Sequence, residues 1–187
     1  FAGGGGGGSF PGHTPTASDG GPGGGGDGGL AANPGSAGVT NSGGGGGGGG
    51  DAPGSTPVKP GGLGGSGIVV TKELNKASGI WPMKAQYEAR RNDTWPAQPS
   101  VPGFNSINLL VIAGGGGGGS LQAGGGGAGG YRFCTAFPIS PGNTYKVTVG
   151  GGGAARTLGP QGAGLSRGET SSFDTCAVGC TFASSGG

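Results

Sequence analysis

The sequence predicts a mostly irregular and β fold: a bundle of polyglycine II helices with short β-strands and one short α-helix at about residues 82–91. Three observations predict it. Glycine fills 57 of 187 positions, and much of it is gathered in blocks at 3–8, 23–26, 43–50, 114–119 and 124–127. The blocks are separated by reversal signals such as S-F-P-G, N-P-G-S and D-A-P-G-S-T-P, each pairing proline with glycine. Hydrophobic residues make up 30% of the chain and charged residues 10%. That is too little apolar area to offset the backbone entropy of so many glycines, so the stabilising bonds must come largely from backbone amides.

Glycine and proline at this abundance, without a strict period, ordinarily mark a low-complexity chain. Runs of matched length between turns predict order instead. An extended chain with three residues per turn has no internal hydrogen bonds, and its N–H and C=O groups point sideways. Without side chains in the way, such helices approach closely and bond to one another. A run of six to eight residues then spans roughly 19–25 Å. Collagen is excluded, since it requires glycine at every third position and not in blocks. Stacked glycine β-strands are the competing packing, favoured less because the runs are uninterrupted.

The elements follow in order. Residues 1–73 carry glycine runs broken by turns and close on G-G-S-G-I-V-V-T-K, where Ile68–Lys72 reads as a short strand. Residues 74–105 hold the one conventional peptide. In W-P-M-K-A-Q-Y-E-A-R-R, Pro82 stands at a first helical position with good helix formers behind it, which predicts a helix from Pro82 to Arg91. A helix that short needs packing, and Trp81, Tyr87 and Trp95 are its expected anchors. Pro96 to Gly103 reads as an extended linker. Residues 106–187 open with the apolar strand Ile107–Ala113, which runs straight into glycine. Two alternating segments, Tyr131–Phe137 and Thr144–Val149, are joined by P-I-S-P-G-N and predict a hairpin.

The residues argue against an enzyme. The segment L-L-V-I-A-G-G-G-G-G-G-S at 109–120 superficially matches a dinucleotide fingerprint. No helix-forming sequence follows it, and no acidic residue appears between Gly114 and Glu169, far beyond the spacing a ribose ligand needs. His13 is the single histidine and sits in the turn P-G-H-T-P. With Cys176 and Cys180 it lacks the second ligand pair of a zinc site. No cofactor and no metal are expected. The cysteines Cys134, Cys176 and Cys180 are disulfide candidates, and C-A-V-G-C reads as a structural bridge with one thiol left over. Net charge is +2 without a basic run, so nucleic acid is not an expected partner. No apolar stretch is long enough to span a membrane as a helix. Asn92-Asp93-Thr94 fits a glycosylation acceptor.

L-L-V-I-A-G-G-G-G-G-G-S, A-G-G-Y-R, S-P-G-N-T-Y-K-V-T-V-G and G-G-S-G-I-V-V-T-K together resemble the glycine-rich domains of bacteriophage tail fibres and related virion proteins. The module W-P-M-K-A-Q-Y-E-A-R-R-N-D-T-W-P is similar to spacers that precede such domains. The resemblance implies an ordered glycine bundle on a fibre, outside the cell or on a virion. In some relatives it extends to contact with a host cell-surface receptor or glycan. In the family-like order the strand at Ile107 opens a domain and the strand at Ile68 closes one. Residues 1–73 then read as a closing half, 74–105 as a helix and Pro-rich spacer, and 106–187 as the opening half of the next domain. Both chain ends read as cuts through a longer repeat, with self-association into a fibre or filament. The expectation is a structural, stiff, glycine-rich spacer of a phage-like appendage. The alternatives are a cellular extracellular filament of tandem repeats, and a glycan- or ice-binding module with a flat polyglycine face.

Overall fold

The computed structural model describes residues 1–10, 18–52, 59–73, 83–92, 105–121, 123–140, 142–156, 166–175 and 181–187. Within them lie six short strands, β1 (Ile68–Glu73), β2 (Ser106–Ile112), β3 (Tyr131–Pro138), β4 (Tyr145–Thr148), β5 (Ser171–Thr175) and β6 (Thr181–Ser184). One helix, α1, covers Met83–Arg91. The predicted class stands: the described chain is mostly strand and irregular backbone with a single short helix.

The strands form two sheets of three, ordered β1-β2-β3 and β4-β5-β6. In the first, β2 is central and supplies much of the apolar core. Its alternating residues Ile107, Leu109 and Val111 are buried, as period-two patterning requires. In the second, β5 pairs antiparallel with both neighbours, with Val147 opposite Phe173 and Phe173 opposite Phe182. The Tyr145 and Phe173 rings stack at 5.3 Å between centroids.

The expected hairpin between Tyr131–Phe137 and Thr144–Val149 does not form. The two segments become β3 and β4, which belong to different sheets. The reversal itself is present: Asn143 N–H donates to the Ser140 carbonyl at 3.3 Å, and Gly142 sits at φ +84°. That is a left-handed backbone position, which glycine adopts without steric cost. Six residues, 139–144, separate the two strands, more than the two-residue loop that imposes a tight hairpin, and β3 lies beside β2 while β4 pairs with β5.

Two compact units divide the chain. The smaller comprises Thr71–Leu109 and Cys134–Asn143. Here α1 is well exposed, with Lys84 and Glu88 3.9 Å apart on its solvent side. Tyr87, expected as an anchor, is 67% exposed, and Trp81 and Trp95 lie outside the described residues. The Ile139 N–H donates to the Asn105 carbonyl at 2.8 Å, beyond the end of β3.

The larger unit comprises Phe1–Val70, Leu110–Phe133 and Thr144–Gly187. It draws its glycine runs from both expected halves, 1–73 and 106–187. Its centre is two stretches, 42–50 and 111–120, in which every residue is buried.

Candidate functional site

The distinctive feature of the larger unit is how the backbone of these two stretches is bonded. In the first, the N–H groups of Gly45, Gly48 and Asp51 donate to the carbonyls of Gly3, Gly6 and Ser9. Those of Gly46 and Gly49 donate to Gly116 and Gly119, and those of Gly47 and Gly50 to Ser36 and Asn33. In return the carbonyls of Gly45 and Gly48 accept from Gly26 and Gly29, those of Gly44 and Gly47 from Gly65 and Gly62, and those of Gly43 and Gly46 from Gly129 and Gly126. Six neighbouring segments therefore surround one run, and each contact recurs three residues on. The bonds measure 2.7–3.2 Å, ordinary amide distances.

The run 113–119 repeats the pattern. Gly114 and Gly117 donate to Glu169 and Ser166, Gly115 and Gly118 to Gly65 and Gly62, and Ala113, Gly116 and Gly119 to Gly130, Gly127 and Gly124. The carbonyls of Gly115 and Gly118 accept from Gly153 and Arg156. A glycine β-sheet would instead repeat every two residues and bond to two neighbours. Because every N–H from Ala113 to Gly119 is donated to a neighbouring run, none is free to cradle a phosphate.

Close approach explains why glycine is obligatory here. A Cβ on Gly46 would meet the Gly62 carbonyl, and one on Gly118 would meet the Gly47 carbonyl. Side chains appear where a surface run turns outward. Asn33, Ser36 and Val39, spaced by three, are all exposed, and Leu63 in G-G-L-G-G-S-G is 56% exposed.

Polar side chains close the ends of the runs. Ser42 Oγ donates to the Val39 carbonyl at 2.6 Å and accepts from Gly44 N–H at 3.2 Å. Ser66 Oγ accepts from Asn41 N–H at 3.0 Å and donates to Asn41 Oδ1 at 3.2 Å, steadying a turn in which Asn41 has φ +60°. Fully buried Ser171 accepts Gly150 N–H at 2.9 Å. Carboxylates do the same: Asp27 accepts from Gly20 N–H and Glu169 from Gly151 N–H. Sequence reading passed over these serines and carboxylates. A signal for one of them was present in N-S followed by eight glycines at 41–50.

Of the residues singled out from sequence, His13, Cys176 and Cys180 lie outside the described residues. Cys134 on β3 is half-buried with a free thiol, its Sγ 3.6 Å from the Thr135 carbonyl. Asn92 is exposed just after α1, where its N–H donates to the Glu88 carbonyl at 3.0 Å. Among the described residues no three His, Cys, Asp or Glu side chains gather as a metal site would need. No helix there is long and apolar enough to cross a membrane.

Residues 93–187 match the family model of a glycine-rich domain. No curated protein and no solved structure matches the chain. The matched residues make up half of the chain and include the buried run 113–119 and β2 to β6, while Gly46, Gly49, Gly62 and Gly65, which also bond to that run, lie outside the match. This protein belongs to the glycine-rich domain family.

Proposed function

We propose that this chain is a structural component of an extracellular fibre or virion appendage, similar in role to a phage tail fibre. In this reading its glycine runs are polyglycine II helices packed into a stiff spacer that supports host attachment. One observation carries it: two buried runs bonded laterally at three-residue intervals to the segments around them. A net gain of about 0.5–1.5 kcal/mol per backbone bond is small, but an unpaired amide inside such a body costs about 1–3 kcal/mol. Deformation that breaks one row exposes several amides together, so the body resists bending and stretching. Such stiffness suits a spacer and serves no chemistry. The resemblance of its strand-to-glycine segments to tail-fibre domains gives the direction of the assignment.

Immunogold labelling of particles and cells from the source, with an antibody raised against the exposed helix α1, tests the role. Label along a fibre or appendage is expected. Label confined to the cell interior would sink the reading.

A further inference from the structure

Where a glycine run continues a strand, the strand sets its register. Thr148 lies opposite Ser172 in β4 and β5, and counting on puts Gly151 opposite Glu169, the pair joined by the next backbone bond at 2.8 Å. Ser171 lies opposite Ser184 in β5 and β6, and counting on puts Gly168 opposite Gly187, again a bonded pair, at 3.0 Å. A slip by one residue would turn buried Phe173 to the opposite face of its sheet. The central run 43–50 is different, because no strand adjoins it among the described residues. Moved one residue along its own path, a glycine run replaces glycine by glycine and keeps the same backbone bonds. The run by itself prefers no register.

We infer that the run 43–50 is registered by its own length. A Cβ at any of its positions would meet a backbone carbonyl, that of Ala113 at Gly43, Gly62 at Gly46, Asp27 at Gly47 and Ala31 at Gly50 among them. Eight sites that admit only glycine are thus filled by eight glycines, with Ser42 before them and Asp51 after. A slip in one direction drives Ser42 into the site of Gly43, where φ is +69° and the Ala113 carbonyl stands in the way. A slip in the other drives Asp51 into the site of Gly50, against the Ala31 carbonyl. No change of rotamer relieves either clash, since the obstacle is backbone against the Cβ itself. Ser42 and Asp51 are therefore stops. The start of the run is also the tied end: Ser66, two residues before β1, holds Asn41 through its hydroxyl and takes the Gly43 N–H on its carbonyl at 2.8 Å. Surplus glycine would emerge at the Asp51 end, whereas a shortage leaves a site that only a side chain can enter. The inference goes beyond the structural role and holds whatever the bundle supports.

The test changes the glycine count in the full 187-residue chain. It reads amide hydrogen exchange at Gly62 and Gly65, whose N–H groups bond the Gly47 and Gly44 carbonyls at 2.7 Å. One glycine more between Ser42 and Asp51 should leave both rates within roughly threefold of the parent chain. One glycine fewer should raise them roughly tenfold or more. Adding Asp51→Gly to the shortened chain restores the full succession of glycines, and should return both rates to within roughly threefold of those in Asp51→Gly alone. The rescued chain is as short as the damaged one, so recovery reports the filling of the sites and not chain length. Unchanged rates in the shortened chain, equal damage by insertion and deletion, or no recovery with Asp51→Gly would each overturn registration by length. Fast exchange at both amides in the parent chain would instead overturn the bonded run itself.

Discussion

A methyl group separates two kinds of glycine in this protein. At Gly46 it would be driven into the Gly62 carbonyl, inside a run whose neighbours are all backbone. At Gly124 it would meet nothing within 4 Å. Neither position has the positive φ that only Gly24, Gly43 and Gly142 show among the described glycines, so local strain does not enter the comparison. Gly46→Ala is therefore expected to cost about 3 kcal/mol or more, through overpacking and lost lateral bonds. Gly124→Ala should be neutral or stabilising by up to about 1 kcal/mol, because alanine narrows the unfolded ensemble. Chemical denaturation of the two variants beside the parent chain measures the contrast. Equal effects would mean that close approach is not what glycine provides in the buried run.

The elements that hold the glycine body together are small and depend on single polar atoms. β5 begins at Ser171, whose hydroxyl takes the Gly150 N–H at the point where β4 hands over to a glycine run. Ser171→Ala leaves that buried donor without a partner and should lower stability by about 1–3 kcal/mol, read from the denaturation midpoint. Ser171→Thr, which keeps the hydroxyl, should recover part of the loss if the hydrogen bond is the cause. At the start of β3, Arg132 lies with its guanidinium carbon 4.4 Å from the centre of the Phe182 ring and donates to the Ala183 carbonyl at 2.8 Å. One side chain thus ties β3 to β6 by a cation–π contact and a charge-assisted bond at once. The sites of β1 to β4 were visible in the sequence because β-branched and aromatic residues concentrate there. β5 and β6 were not: S-S-F-D-T and T-F-A-S each carry one large apolar residue. Pairing Phe173 with Phe182 across the ladder is a non-local event that no short window contains.

At the scale of the molecule, cohesion by backbone bonds predicts an unusual indifference to salt. The chain has 10 basic and 8 acidic side chains, and the ion pair Lys84–Glu88 is well exposed. Exposed pairs contribute little and are screened at ordinary ionic strength. The thermal midpoint should move by less than about 2 °C between roughly 0.05 and 0.5 M sodium chloride. A large fall with added salt would show that charges, not amides, hold the body together.

Composition and run spacing by themselves determined that this protein could not be built on an ordinary apolar core. They determined also that its glycines must satisfy one another laterally, and where β1 to β4 and α1 would fall. Those are local properties, set by side-chain volume, turn chemistry and propensity. Which run bonds to which was decided only in three dimensions. Glycine runs are identical along their length, so nothing in Gly43–Gly50 specifies Gly3, Gly26, Asn33, Gly62, Gly116 and Gly126 as its neighbours. Serine and carboxylate contacts at the run ends and the placement of β3 and β4 in different sheets belong to that three-dimensional arrangement. The same three-dimensional placement brought runs from 1–73 and 106–187 together within one unit.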